Sequence, residues 1–513
     1  MGIKSKIVSN TFYNTMDWAL IAVIGYIFWM IMGKMLLPDA YGILMTVLVL
    51  YTFSVNLLSL NVQDVLGKFI PHYLATKKQN QAFSTATFMM AISLVLVGAF
   101  SILSYTFARN ISLLVYSNTA MEEGIRLLSI LTVFGYFYIA FKAILYGFQD
   151  FKGIFLADLA GGISRLFFSI LFVYGGYMLG GILGWTVGFF FAAIIAFLCA
   201  RSRGFRFKGI KGVNKKEIAR YTSASIMIFF AHNLLVQLGT LLLGLLSTMH
   251  SVGLFGVAVL FGNFAVLPLA MIQGALFPTF SELLSRNELQ KLSELLNRAL
   301  KYIFAFSVPL LAIICLFPTV LIQIVYTSTY LEAWPAVVAY APGMFILSVT
   351  SILLSLLFLS NRPYTRFFIT SVAVIINFAL AFLFIKNLDV FGAAAAFLLT
   401  SVSIFAFTYN HVQKAIGIRI SIDAKKLLLP LPIFGILYFG VNMFSPRLIF
   451  VLFGFGIFYL LYLYMLFRLK FFNTEDAKLL DYAPDIPVVN PVKEWIRDAI
   501  ANQAERTDLK INT

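Results

Sequence analysis

Charge is scarce in this chain. Only 12% of its 513 residues are Asp, Glu, Lys or Arg, about half the share of roughly 25% found in a soluble globular domain. Histidine, with four copies, and cysteine, with two, are scarcer still. No CxxC or HExxH spacing occurs, so neither a disulfide framework nor a metal-held fold is expected. Cys199 and Cys315 fall in or at the end of apolar stretches and read as small buried hydrophobes. No GxGxxG or Walker pattern is present, and nothing points to nucleotide hydrolysis. Nor does any segment set a nucleophile beside its base or pair carboxylates for acid and base work, so no catalytic role is expected.

What fills the chain instead is apolar surface, 61% of all residues. Fourteen apolar stretches of about twenty residues run from Asn10 to Phe467, and that length lets an α-helix cross a hydrocarbon core of roughly 30 Å. Unsatisfied backbone groups in lipid cost several kcal/mol each, which dictates helices, and the stretches are too long and too uniformly apolar for a barrel. The expected fold is therefore an all-α polytopic membrane protein with 14 transmembrane helices. The first stretch is expected to stay in the protein, because no small-residue cleavage pattern follows it.

Lys and Arg sort between alternate loops. With the N-terminus inside, inward segments hold 25 basic residues and outward segments five, Lys34, Arg109, Arg126, Lys386 and Arg447. This bias predicts that both termini are cytoplasmic. The net charge of +16 is then mainly a topology signal, with attraction to anionic headgroups as a by-product and no nucleic acid as partner.

The organisation repeats. Leu37-Pro38-Asp39-Ala40-Tyr41-Gly42 recurs as Ser251-Val252-Gly253-Leu254-Phe255-Gly256, with Gly42 and Gly256 separated by 214 positions. Gly147 and Ser360 are 213 apart, and Gly181 and Gly392 are 211 apart. Pro71 and Pro278, read as closing the second helix of each half, are 207 apart and require a gap of about two turns. The division expected is a six-helix bundle over 1–200, a basic cytoplasmic linker over 201–220, and a second six-helix bundle over 221–413. Helices 13 and 14 follow over 414–468, then a cytoplasmic tail over 469–513. Both bundles begin with inward N-termini, so the repeat is parallel, with a pseudo-two-fold along the membrane normal and a central cavity where transporters of this layout hold substrate.

Within that frame a few polar side chains stand out. Arg165, about ten residues into the fifth helix, has two readings: a phosphate-binding guanidinium, or an internal partner for Asp158. Asn10, Asn14 and Asp17 share one face of helix 1. Asp17, with Asn14 beside it, is the candidate for coupling Na⁺ or H⁺, or else a carboxylate that pairs with Lys68 or Lys142. His232 lies near the middle of helix 7, followed by Asn233, Gln237 and Thr240 at helical spacing, which suits sugar hydroxyls as well as interhelical hydrogen bonds. Asn56 and Gln63 on helix 2 and Gln273 on helix 8 carry the same two readings. Lys68 and Lys142 are placed at cytoplasmic mouths, either to meet a diphosphate or as topology charges. The glycines at 161, 162, 180, 181 and 184 read as close-packing positions. Ser285-Arg286-Asn287-Glu288 fits a capping box, and Leu289, Leu292 and Leu296 then predict an amphipathic helix on the membrane surface before a span at 301–323. In the tail, Asn490 followed by Val492, Trp495, Ile496 and Ala499 predicts an interfacial or docking helix.

The chain resembles the polysaccharide flippases (Wzx-type) of the multidrug/oligosaccharidyl-lipid/polysaccharide exporter superfamily. Four segments carry the resemblance: Leu37 to Gly42, Leu145-Tyr146-Gly147-Phe148-Gln149-Asp150-Phe151, Val252 to Ala258, and Leu276-Phe277-Pro278-Thr279-Phe280-Ser281. It implies two bundles with helices 1 and 7 lining the cleft, alternating access, and a cargo of oligosaccharide on a polyprenyl phosphate or diphosphate. Glycosyltransferases or a polymerase of the same pathway are the implied partners, and no cofactor is implied beyond Na⁺, H⁺ or the membrane potential. Two rivals remain: an ion-coupled drug or cation antiporter of the same superfamily, and a membrane glycan polymerase or ligase.

Overall fold

The computed structural model describes residues 3–210, 213–360, 362–421, 423–444, 448–469 and 471–472. Every regular element among them is helical. The chain forms α1 (Ile3–Met35), α2 (Pro38–Leu58), α3 (Val62–Ala75), α4 (Gln79–Thr106), α5 (Ala108–Val115), α6 (Met121–Phe148), α7 (Phe151–Tyr174) and α8 (Gly180–Ser202). It continues as α9 (Lys215–Leu246), α10 (Met249–Ala265), α11 (Leu267–Ser285), α12 (Leu289–Leu316), α13 (Pro318–Val325), a 3₁₀ turn at Ser328–Ala333, and α14 (Trp334–Leu359). The last elements are α15 (Pro363–Ile416), α16 (Ala424–Leu428), α17 (Pro432–Phe444) and α18 (Leu448–Arg468). Ten helices in the described residues are long and apolar enough to span a membrane, with shorter apolar helices at Met249–Ala265 and Phe453–Arg468. The protein is thus multi-pass.

Local chemistry sets many of the ends. Pro38 occupies the first turn of α2, where its missing N–H has no helical partner to lose. Asp150 caps α7 by accepting from the Gly153 N–H at 3.2 Å, and Asn214 caps α9 by accepting from the Glu217 N–H at 3.3 Å. Asp150 also takes a two-pronged ion pair from Arg203, just beyond α8, at 2.7 and 2.9 Å. Those hydrogen bonds push the Arg203 guanidinium above its ordinary range.

Three expectations change. Pro71 and Pro278 end no helix; they lie inside α3 and α11. The interruption in the second helix comes earlier, where Leu60 (φ 56°) and Asn61 (φ 50°) step through the left-handed region between α2 and α3. The sequence gap between halves falls at this point, since α2 has 21 residues against 17 in α10, and three residues follow α2 where one follows α10. Third, no separate surface helix precedes the span at 301–323. Leu289 begins one 28-residue helix, α12, because nothing between Glu288 and Leu316 breaks it apart from the internal Pro309. Its amphipathic start is its own first turns, with Leu292 and Leu296 buried. Glu288 pairs with Lys291 at 2.9 Å instead of closing a capping box, and that contact lowers its pKa. Gln273's side chain, Asn10's side chain and the tail from Asn473 lie outside the described residues.

Packing divides the chain into two compact units. The first takes the described residues of 1–262, 319–350 and 361–408, the second those of 263–318, 351–360 and 409–472. In the first, α8 packs on α6 and α7, α1 lies along α7, α3 and α4 pack on α6, and α2 touches α6 and α9. Small residues bring α7 and α8 together: a Cβ on Gly184 would stand 1.9 Å from Ser169 Oγ, and one on Gly161 2.7 Å from Ala192 Cβ. In the second unit α12 packs on α11, α16, α17 and α18. There Phe317 meets Phe455 and Tyr438, with ring centroids 5.0 and 5.7 Å apart. Asn297 ties the α15–α16 connection to α12, accepting from the Ser421 N–H at 2.6 Å and donating to the Arg419 carbonyl at 3.0 Å.

Candidate functional site

Three helices of the first unit, α1, α6 and α7, carry charge into an apolar interior. On α6 the Lys142 ammonium lies 2.6 Å from Asp158 Oδ2 on α7, with only 15% and 5% of the two side chains exposed. The same ammonium donates to the Tyr138 hydroxyl at 2.9 Å, and that hydroxyl donates to the second Asp158 oxygen. Lys142 and Tyr138 meet because they are one helical turn apart. Asp17 on α1, also buried, lies within electrostatic reach of Asp158 and Lys142. Two turns beyond Asp158, the Arg165 guanidinium sits 4.3 Å above the Trp185 ring and 5.6 Å from that of Phe28.

Beside these groups is a cavity of about 220 Å³, lined by Ile21, Ile24, Tyr138, Asp158, Arg165 and Trp185 among others. Formally the cluster holds two carboxylates and two cations. Among the described residues only Lys142 and Asp158 of this cluster form a close ion pair; Arg165 leans on aromatic faces, and Asp17 Oδ1 and Arg165 Nε have no hydrogen-bond partner among them. An incompletely paired carboxylate inside a membrane protein is costly. One proton or one monovalent cation at Asp17 would change that balance.

A second polar group lies where α2 and α3 meet α9. Asn56 and Asn233 line one small space with Thr52, Phe53, Asn61 and Phe230, leaving about 10 Å³, room for one water. Each amide is turned to its own helix, Asn56 Nδ2 to the Thr52 carbonyl at 2.7 Å and Asn233 Nδ2 to the Phe229 carbonyl at 3.0 Å. Asn61 crosses the seam, donating to Ser225 Oγ at 3.0 Å and to Asp64 at 2.7 Å. Farther along α3, the exposed Lys68 holds its ammonium 4.0 Å from the Tyr221 ring.

The candidates from sequence therefore fall into separate groups. Arg165 lines the cavity, Lys142 is joined to it through the ion pair with Asp158, and Asp17 is buried near that pair, with Asn14 half-buried one turn from Asp17. Lys142 is drawn into the bundle by Asp158, since α6 runs on to Phe148 and leaves it well inside the helix. Asn56 and Asn233 share the seam; Gln63 and Gln237 are half-buried on α3 and α9. His232 is half-buried on α9. Three members escaped sequence reasoning. Tyr138 could have been found from its spacing to Lys142, and Trp185 as an indole within a span; no sequence signal marks the left-handed backbone of Asn61.

A profile of polysaccharide biosynthesis proteins matches residues 31–335. An uncharacterized membrane protein of Methanocaldococcus jannaschii is 22% identical over 506 residues, covering 93% of this chain and 98% of its own. Among solved structures, the lipid II flippase MurJ in an inward closed conformation superposes with a TM-score of 0.67 at 14% identity, over 90% of this chain and 99% of MurJ. An inward-facing multidrug resistance MATE family transporter of the MOP superfamily gives 0.66 at 14% identity, over 80% of this chain and 94% of its own. These likenesses establish the polytopic MurJ and MATE fold. Because the profile covers more than half of its length, the chain belongs to the polysaccharide biosynthesis protein family.

Proposed function

We propose that this protein is an alternating-access flippase that moves polyprenyl-(di)phosphate-linked oligosaccharide from the cytoplasmic to the outer leaflet of the cytoplasmic membrane. Both termini are cytoplasmic, which places the Pro38 end of α2 outside and α3 toward the cytoplasm. The observation that carries the reading is the charged cavity of α1, α6, α7 and α8 in a chain of a polysaccharide biosynthesis family. The flippase fold of a lipid II carrier supports it. In this reading Asp17 takes up a proton or Na⁺, or responds to the membrane potential, and the change in local charge biases the bundle toward one of two states. The polar seam of Asn56, Asn61 and Asn233 offers amides to sugar hydroxyls once α2 and α9 part, and Lys68 meets phosphate at the cytoplasmic side. Glycosyltransferases or a polymerase of the same pathway supply and consume the cargo.

Asp17 and the MATE likeness also favour a second reading, an ion-coupled cation or drug antiporter. Reconstituted protein separates them. Transfer of a fluorescent polyprenyl-diphosphate sugar between leaflets supports the flippase; ion-driven efflux of a cationic dye without glycolipid movement supports the antiporter, and polymerised glycan from protein alone would support a polymerase. Arg165→Ala should impair glycolipid transfer at unchanged membrane insertion, and wild-type transfer by that variant would remove Arg165 from the site.

A further inference from the structure

The N-terminal ends of α2 and α10 cross so closely that their backbones touch. A Cβ on Gly42 would stand 1.8 Å from the Met249 carbonyl oxygen, and one on Gly253 would stand 2.0 Å from the Pro38 carbonyl oxygen. The contact is reciprocal: in each helix the residue four before the glycine meets the glycine of the other. Only glycine tolerates such an approach. The recurring segment of the sequence therefore pairs Gly42 with Gly253 in space, while Gly256 faces Tyr41.

Side chains strap this crossing on every side. Asp39 meets His250 at 3.3 Å across the two first turns. The Tyr41 and Tyr326 hydroxyls share a hydrogen bond of 3.0 Å, and Tyr330 donates to the Leu36 carbonyl at 2.9 Å. Asp389, which breaks α15 at φ 47° and ψ −121°, accepts from Ser247 at 2.6 Å and Ser251 at 2.6 Å. That backbone conformation is strained for a residue with a side chain, and the two serines hold it.

Two helix N-termini carry like partial charges, so bringing them together is unfavourable unless negative charge is placed beside them. Asp39 lies in the first turn of α2, and the Asp389 carboxylate sits on the serines that open α10. The crossing is thus closed by shape and flanked by two acids that bind the elements around it, as a latch requires. The geometry points to the Gly42–Gly253 crossing as the outer gate of the transport cycle, with Asp39 and Asp389 as positioning residues that hold it shut. This assignment rests on the flippase reading and its N-in orientation.

Thr46 tests it. It is fully buried one turn inside Gly42 and donates to the Gly42 carbonyl at 2.8 Å. In a variant with Cys199→Ser and Cys315→Ser, Thr46→Cys should resist a membrane-impermeant maleimide added from outside. Adding Gly42→Ala or Gly253→Ala should speed labelling about tenfold or more, and Asp389→Asn or Ser247→Ala with Ser251→Ala should do so to a smaller degree, as a shift toward the open state. The strap variants introduce no clash, so they remain informative if the alanine variants do not fold. Equal labelling in parent and in folded strap variants would overturn the gate. The readout needs no cargo: altered labelling without glycolipid transfer leaves the gate standing and sinks the flippase, while transfer with unaltered labelling does the reverse.

Discussion

The two ends of α2 close in opposite ways. At Pro38 the contact with α10 is backbone on backbone, and α2 is buried from Ala40 to Val49 without a gap. At Asn61 the contact with α9 is made by side chains: one amide to a serine at 3.0 Å, then an exposed ammonium 4.0 Å from a tyrosine ring. A neutral hydrogen bond of this kind contributes only about 0.5–1.5 kcal/mol net, because water or a ligand hydroxyl replaces it on opening. A backbone crossing has no such substitute. On the proposed cycle the polar end is therefore the one expected to open readily, and the glycine end the one that must be released.

Several substitutions would break or sharpen that contrast. The largest effect belongs to neither end: Lys142→Ala strands Asp158 and Asp17 in the bundle and should cost about 3–5 kcal/mol. It should appear as loss of folded protein in detergent, with Asp158→Asn restoring yield; undiminished yield in the single variant would mean the ion pair does not matter. Next comes Gly42→Ala, expected to destabilise by about 1–3 kcal/mol through overpacking, a lowered midpoint that thermal unfolding reads directly. An unchanged midpoint would contradict the backbone crossing. Asn61→Ala should cost about 0.5–1.5 kcal/mol and favour opening at the α3 end, seen as faster modification of a cysteine placed at Ser225. Unaltered modification would show that the amide holds nothing. The smallest effect is expected from Lys68→Ala, about 0.5–1 kcal/mol for an exposed ammonium over an aromatic ring, with weakened glycolipid transfer and near-normal unfolding.

Much of the fold was legible because lipid demands helices and apolar length. The break of α15 at Asp389 divides it into two stretches of membrane-spanning length, as fourteen separate apolar stretches require, and the glycines at 161 and 184 do pack helices. The interruption at Leu60 and Asn61 was not legible, since an asparagine in an apolar run looks the same whether it glues helices or bends one. Nor was the single rod of α12, whose amphipathic start has the pattern of a surface helix. Of the charged cluster, Asp17, Asp158 and Arg165 were each visible as isolated costs in an apolar chain. That they converge depends on how α1, α6 and α7 rotate about their axes, which periodicity alone does not fix. Lys142 was read at the cytoplasmic mouth, but α6 runs on to Phe148 and Asp158 draws the ammonium into the bundle. The paired glycines at 42 and 253 were present in a recurring segment, yet contact between the copies is a tertiary fact.

The most direct test is glycolipid transfer in proteoliposomes with Asp39→Cys and His250→Cys bridged by a short thiol-reactive crosslinker. A fluorescent polyprenyl-diphosphate sugar should cross with the unbridged protein, stop when the bridge forms, and cross again when it is cleaved. Transfer that continues through the bridged protein at the same rate would contradict the account.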